Sequence, residues 1–306
     1  MRFAVRDDTV LVTDGGLASE LEARGDLHSG DRLWSAGLLI DAPQHIAAVH
    51  AAFFDAGAVI ATTASYQASF DGFAARGIDH GAATRLLRRS VELARSAVPV
   101  SPDGGAPRWV AASIGPYGAT LADGSEYRGR YGLSVRQLAA WHRPRLEVLA
   151  GAAPDVLAYE TVPDVDEAEA LVHLVSEFDV PAWLSYTIEG SRTRAGQPLA
   201  EAFAVAAGVS QIVAVGVNCC APADVLPAVE LAREVTGKPV VAYPNSGEHW
   251  QRGHWSGRPT FSADLVPQWV AAGARIVGGC CRVRPADIAR VADAVASVAR
   301  ADTDVP

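Results

Sequence analysis

A short apolar segment near the C-terminus runs directly into two glycines and two cysteines, Ala274-Arg275-Ile276-Val277-Gly278-Gly279-Cys280-Cys281. A helical pattern begins soon afterwards at Pro285, which places this segment at a strand-to-helix junction. The pair uses half of the four cysteines in the chain. Adjacent cysteines rarely bond to each other, because the small ring strains the disulfide. Two thiolates facing one cleft could instead hold a soft metal ion, if a third ligand came from elsewhere in the chain.

The same order, a short apolar run followed by a helical pattern, occurs eight times along the chain. The predicted strands are Val10–Thr13, Ala58–Thr63, Arg108–Ser113, Asp155–Glu160, Ala182–Thr187, Ile212–Asn218, Pro239–Tyr243 and Ala274–Val277. The predicted helices are Pro43–Ala56, His80–Val98, Val135–Ala150, Val165–Glu177, Leu199–Ala207, Ala223–Val235, Ala263–Ala272 and Ala286–Arg300. The strand runs are almost continuously apolar, which indicates strands buried on both faces of a parallel sheet.

We therefore expect an α/β protein with a single (β/α)8 TIM barrel as one domain over residues 1–306. An open doubly wound sheet would show the same alternation. However, no dinucleotide-binding glycine fingerprint follows the first strand, which favours the barrel.

Composition narrows the class of partner and the compartment. The 306 residues carry a formal net charge of −9, which argues against nucleic acid or an anionic membrane as the main partner. Charged residues stand where a signal peptide needs an apolar core, and no apolar run reaches the roughly 18 residues of a membrane span. We expect a cytoplasmic protein, in which cysteines stay reduced and more often bind metal or catalyse than pair.

In a barrel, the loops that follow the strands gather at one face and form the active site. Cys219 follows the sixth predicted strand, and Cys280 and Cys281 follow the eighth. Strand ends two places apart on the rim are close, so three thiolates can converge on a tetrahedral Zn²⁺ that keeps its fourth position open. The alternative is that these cysteines are small buried side chains, but three of four at two strand ends favour metal. We leave Cys220 out of the predicted metal ligands. The side chain of its neighbour Cys219 can face the site only if the side chain of Cys220 points elsewhere.

Three thiolates favour one kind of zinc chemistry. Three anionic sulfurs make the metal a poor Lewis acid, which disfavours a hydrolase that uses zinc-activated water. The same site still keeps a bound thiol deprotonated at neutral pH. Alkylation of a thiol substrate is therefore the reaction that this site favours, with the nucleophile as the fourth ligand.

Carboxylates at other strand ends suggest a substrate with an amino group. Asp14-Gly15-Gly16 follows the first strand, where the carboxylate could bind an ammonium and the glycine N–H groups could approach a carboxylate. Glu160 ends the fourth strand and is either solvated or a cation ligand. The charged, aromatic loop at 123–132 is either a lid over the barrel mouth or a solvated loop. Trp250, in the loop after the seventh strand, could suit a sulfonium cation.

These residues resemble the motifs of the zinc-dependent homocysteine S-methyltransferases. The resemblance rests on Thr13-Asp14-Gly15-Gly16, Gly216-Val217-Asn218-Cys219, Gly278-Gly279-Cys280-Cys281-Arg282 and on further blocks between about residue 11 and about residue 290. The segment around Ser125-Glu126-Tyr127-Arg128 resembles the bacterial and plant branch that uses S-methylmethionine.

The resemblance implies a TIM barrel with zinc on Cys219, Cys280 and Cys281 and homocysteine sulfur as the fourth ligand. It also implies that Asp14 and Glu160 contact the homocysteine ammonium, with the Gly15 and Gly16 backbone near its carboxylate. Thr63 and Ser65 are further substrate-binding candidates in the block that follows the second strand.

The hypothesis is methyl transfer from S-methylmethionine, or less efficiently from S-adenosylmethionine, to zinc-bound homocysteine, forming methionine. Betaine as donor and selenocysteine as acceptor are alternatives within the same family. A zinc hydrolase is the alternative from another class, and a non-catalytic zinc-storage or redox-sensing barrel is a third.

Overall fold

The computed structural model describes residues 2–27, 34–99, 107–251 and 254–303, without the side chains of residues 34, 249–251, 254 and 301–303. Eight parallel strands form its main sheet: β1 Leu11–Val12, β2 Ile60–Thr62, β3 Trp109–Ile114, β4 Val156–Val162, β5 Ala182–Tyr186, β6 Ile212–Asn218, β7 Val240–Tyr243 and β8 Ala274–Val277. They are hydrogen-bonded in the order β1-β8-β7-β6-β5-β4-β3-β2. Thr13 pairs in parallel with Ile60, and the Val59 N–H donates to the Val12 carbonyl at 2.7 Å, so the first and last strands meet. The sheet is a closed (β/α)8 barrel, which excludes the open sheet.

Helices follow the strands, and several were not expected from the sequence. The helices are α1 Leu17–Arg24, α2 Leu38–Asp41, α3 Pro43–Asp55, α4 Phe70–Ala74, α5 His80–Ser96, α6 Tyr117–Leu121, α7 Val135–Ala150, α8 Val165–Val175, α9 Leu199–Ala204, α10 Pro222–Thr236, α11 Val266–Ala271 and α12 Pro285–Thr303. The unpredicted α1, α2, α4 and α6 are short, so tertiary contacts rather than periodicity stabilise them.

Three predicted helices are wrong by three residues at one end, and one of them is α12, which ends at Thr303 instead of Arg300. The prediction of a helix to Ala207 fails because α9 ends at Ala204. The predicted helix Ala263–Ala272 begins instead as a 3-10 turn, Ala263–Leu265, and becomes α-helical at Val266. Pro267 lies in the first turn of α11, where a missing N–H leaves no hydrogen bond unmade.

The core has two layers, as a barrel requires. Inside the barrel, side chains of alternate strand positions pack together, and Phe3 contacts Trp109 edge to face with ring centroids 5.5 Å apart. Outside the strands, a larger apolar cluster fills the space beneath the helices. Apolar side chains therefore fill the barrel interior, as is typical of this fold. Of the helices in the described part of the chain, none is long and apolar enough to cross a membrane.

Candidate active site

The carboxyl ends of the strands surround a cavity of about 400 Å³. Most of the residues that the sequence singled out meet in this one place: Asp14, Gly15, Gly16, Thr63, Glu160, Cys219, Cys280 and Cys281 all line it. Ser65 is fully buried and does not line it. The structure thus brings a sulfur cluster and two carboxylates into one cavity.

The sulfur atoms of Cys219, Cys280 and Cys281 lie within 4.8 Å of one another. Cys219 and Cys280 are joined by a disulfide, whereas Cys281 carries a free thiol. The expectation that these cysteines stay reduced is therefore not met here, because thiols close enough to share an ion are close enough to bond. Cys220 is buried in the outer core and takes no part in the cluster.

The chemistry of this donor set suits a soft metal ion. Three thiolates are a common ligand set for zinc, and this one would be complete once the disulfide is reduced. Burial raises the pKa of the Cys281 thiol to about 12, and the hydrogen bond from the Tyr127 hydroxyl only partly offsets this effect. Without a bound cation, Cys281 would therefore remain a thiol at neutral pH.

Close backbone packing fixes the loop that carries two of the cysteines. A Cβ atom on Gly278 would lie 2.5 Å from the Thr13 side chain, and one on Gly16 would lie 2.5 Å from the Cys280 carbonyl oxygen. The Gly279 N–H also donates to the Asp14 carbonyl at 3.2 Å. The glycines on both sides are therefore needed to bring the loops after β1 and β8 together.

Asp14 is a buried carboxylate, with only 2% of its surface exposed. It accepts hydrogen bonds from the Thr62 N–H at 2.7 Å and from the hydroxyls of Thr62 and Thr13 at 2.8 and 3.2 Å. Burial is the main cause that raises its pKa to about 7, and the charge of Glu160 adds to the effect. Asp14 and Glu160 both line the cavity, so the two carboxylates face the same space.

Glu160 is held on both of its oxygens. The Ser113 hydroxyl donates to one, and the Tyr243 hydroxyl donates to the other at 3.0 Å. Burial nevertheless raises its pKa to about 7. Two desolvated carboxylates facing one cavity would gain from a cation between them, since ionising both without one is unfavourable.

The remaining predicted substrate-binding residues differ in what they can offer. The hydroxyls of Thr63 and Ser65 are 2.7 Å apart, and Ser65 donates to the Ser113 carbonyl at 2.8 Å. The Gly16 N–H donates to the Val283 carbonyl at 2.9 Å. Ser65 therefore supports the wall behind the cavity, and the Gly16 amide is already engaged within the protein.

The unpredicted helix α1 places further amides at the cavity. It begins at Leu17, directly after the N-cap residue Gly16, which provides no side-chain acceptor. Leu17, Ala18 and Ser19 in its first turn line the cavity. A helix N-terminus favours an anion, so this end of the cavity suits a substrate carboxylate.

Asn218 is a supporting residue whose role the sequence did not reveal. Its amide accepts from the Thr161 N–H at 2.7 Å and donates to the Thr161 hydroxyl at 2.7 Å. Thr161 and Cys219 have left-handed φ angles of +58° and +47°. Asn218 therefore supports the irregular residue of β4 that directly follows Glu160, and it immediately precedes a cluster cysteine.

The loop at 123–132 covers one side of the cavity. It contains a 3-10 turn, Ser125–Tyr127, from which Glu126 and Tyr127 line the cavity. The Arg130 N–H donates to Asp164 at 2.8 Å and its side chain donates to the Ala195 carbonyl at 2.7 Å. Whether this loop opens as a lid stays a prediction.

A short hairpin of strands His249–Gln251 and His254–Ser256 follows β7 and brings an aromatic residue to the cavity. The side chain of Trp250 lies outside the described residues, whereas Trp255 on the partner strand of a short hairpin lines the cavity. The expectation that Trp250 contacts a sulfonium therefore stays a prediction.

Comparison with known proteins places this geometry in a family. The homocysteine S-methyltransferase family model matches residues 11–295. The homocysteine S-methyltransferase of Escherichia coli (strain K12) is 46% identical over 300 residues, covering 94% of this chain and 96% of that protein. Homocysteine S-methyltransferase 4 of Zea mays is 45% identical over 305 residues, covering 93% of this chain and 89% of that protein. The crystal structure of E. coli homocysteine methyltransferase MmuM in its metallated form superposes with a TM-score of 0.84 at 45% identity, covering 93% of this chain and 96% of that one.

Proposed function

This chain belongs to the homocysteine S-methyltransferase family, and from that premise we propose that it methylates homocysteine to methionine with S-methylmethionine as the donor. S-adenosylmethionine would serve less efficiently. The observation that carries the proposal is the cavity that combines three cysteine sulfurs within 4.8 Å with two buried carboxylates. We propose that one domain, residues 1–306, performs the whole reaction.

Cys219, Cys280 and Cys281, once reduced, would hold the metal, which we propose to be zinc because three thiolates suit it. When bound, zinc would lower the pKa of the substrate thiol and keep its sulfur nucleophilic at neutral pH. The need for free thiolates supports a reducing compartment, and hence the cytoplasm.

The carboxylates and the start of α1 would orient homocysteine. Asp14 and Glu160 would bind its ammonium, which compensates for the burial of both carboxylates. The first-turn amides of α1 would receive its carboxylate. The substrate sulfur would then point to the cysteine cluster, with both ends of the amino acid fixed.

The transfer itself needs alignment rather than acid catalysis. A sulfur lone pair of homocysteine forms a bond to the donor methyl carbon while the carbon–sulfonium bond breaks, and its electrons return to the leaving sulfur. From S-methylmethionine, both products are methionine. Opposite charges disappear in this step, so a cavity that excludes water favours it, and fixed orientation supplies much of the acceleration.

The test is methionine formation from homocysteine with S-methylmethionine, S-adenosylmethionine or betaine, each in the presence of reductant and with or without a chelator. We expect the highest rate with S-methylmethionine and loss of activity with the chelator, restored by zinc. Full activity in metal-free protein would contradict the mechanism, and a preference for betaine would assign the donor differently. Hydrolytic turnover without any thiol substrate would support the zinc-hydrolase alternative.

A further inference from the structure

Glu126 is a carboxylate in the cavity that the reaction described above does not use. It lies in the 3-10 turn Ser125–Tyr127 and lines the same cavity as the three cysteines. Its Oε2 atom is buried and forms no hydrogen bond within the part of the chain that the structure describes. Burial raises the pKa of Glu126, and the charge of Asp123 raises it further. Burying a carboxylate oxygen without a hydrogen-bond partner costs free energy. A cation on the ligand would offset this cost.

The turn that carries Glu126 is built tightly. The Tyr127 N–H donates to the Gly124 carbonyl at 3.0 Å, and the Ser125 N–H donates to Asp123 at 2.9 Å. Gly118 of α6 packs so closely that a Cβ atom there would lie 2.6 Å from the Glu126 nitrogen. The backbone that carries Glu126 is therefore fixed by its neighbours, and its Oε2 atom is buried at the cavity.

Aromatic rings line the same cavity as this carboxylate and the sulfur cluster. Tyr66, Tyr127 and Trp255 line the cavity, and the Tyr127 hydroxyl is hydrogen-bonded to Cys281. A ring beside the sulfur cluster attracts a sulfonium without cancelling its charge. The cavity thus has a second cation-binding group in addition to the pair Asp14 and Glu160.

We propose that Glu126 determines donor specificity by binding the α-ammonium of an amino-acid sulfonium, while the sulfonium itself lies against the aromatic rings. This inference rests on the proposed function. Methyl transfer removes the sulfonium charge, so a carboxylate placed at the sulfonium would stabilise the ground state more than the transition state. The α-ammonium keeps its charge throughout, so pairing it with Glu126 strengthens binding without slowing the transfer. Betaine has no such group, so Glu126 would select against it.

The test compares S-methylmethionine with 4-(dimethylsulfonio)butanoate, which lacks only the amino group, in steady-state assays with homocysteine. The variants are Glu126→Gln and, as a matched control, Asp123→Asn, which removes a charge from the same loop but at an exposed position. The side-chain oxygen of Asn in Asp123→Asn can still accept the hydrogen bond from the Ser125 N–H. Zinc content and circular dichroism establish that each variant is folded.

We expect Glu126→Gln to lower kcat/KM for S-methylmethionine about 10- to 100-fold, with the KM of homocysteine and kcat/KM for the amino-free donor unchanged. The wild-type protein should itself prefer S-methylmethionine over the amino-free donor by a similar factor, which tests the inference without any variant. Asp123→Asn should behave as wild type with both donors.

Equal loss with both donors would place Glu126 at the sulfonium and overturn the inference, as would no loss with either. A raised KM for homocysteine alone would assign Glu126 to the acceptor instead. The proposed function fails separately, if the wild-type zinc protein forms no methionine from either donor. In that case the binding of the two sulfonium compounds to wild type and to Glu126→Gln, measured by calorimetry, still tests the inference. If the two proteins bound S-methylmethionine with equal affinity, the inference would be overturned.

Discussion

Replacing Asp14 with Asn should make the protein more stable above neutral pH and less able to bind homocysteine. Asp14 is buried, and its pKa is raised from 3.8 to about 7 mainly by desolvation. The folded state therefore holds this proton more tightly than the unfolded chain does. Stability from this group is fully present below pH 3.8 and is lost as the pH rises through 7. An uncharged isostere should avoid the loss, and its oxygen and NH₂ group can satisfy the Thr62 and Thr13 contacts.

The size of the effect follows from the two pKa values. They differ by about 3 pH units, and each unit is worth about 1.4 kcal/mol. Above pH 8, Asp14→Asn should therefore raise the free energy of unfolding by on the order of 4 kcal/mol. At pH 5, where the pH exceeds the unfolded-state pKa by little more than one unit, the gain should fall to about 1.5 kcal/mol. The same substitution should raise the KM of homocysteine about 10-fold or more, because an ammonium partner is lost.

The assay is urea unfolding at pH 5 and pH 8.5, with reductant and zinc kept the same for all proteins. Asp293→Asn is the matched control, since Asp293 is exposed on α12. Its unfolding free energy should follow that of wild type at both pH values. The argument would be refuted if Asp14→Asn destabilised the protein by the same amount at both pH values. That result would mean that the hydrogen bonds of ionised Asp14 outweigh the cost of burying its charge.

Three further predictions concern the metal loop and the carboxylates. Cys281→Ser should weaken zinc binding and abolish methyl transfer together, measured by competition with a chromogenic chelator; retained activity in a zinc-free variant would contradict the role of the cluster. Gly16→Ala should lower both zinc content and stability, the latter by about 2 kcal/mol, because the new methyl group would lie 2.5 Å from the Cys280 carbonyl oxygen. Elemental analysis and urea unfolding measure these changes, and an unchanged variant would mean that the loops can separate without loss. Finally, kcat/KM for homocysteine should rise between pH 6 and 8 as Asp14 and Glu160 ionise, and a flat profile would show that the acceptor does not need both charges.

Much of the fold could be predicted from the sequence, because each barrel strand is a short apolar run buried on both faces. The bounds of β6 and β8 agree with the prediction to the residue, and those of the other strands differ by one or two. The short helices α1, α4 and α6 were missed, because a helix of five to eight residues depends on its neighbours rather than on its own periodicity.

The sequence by itself determined the barrel and the candidate groups at its mouth, since cysteines and carboxylates that directly follow parallel strands must lie at one rim. Only the tertiary structure decided which atoms meet there. The strands β6 and β8 flank β7, which brings Cys219 close enough to Cys280 to form a disulfide, and Cys220 is buried in the outer core. The packing of the loop after β3 leaves a Glu126 oxygen buried without a hydrogen bond in the described residues. Such contacts depend on distances between residues that are far apart along the chain, and no local pattern encodes those distances.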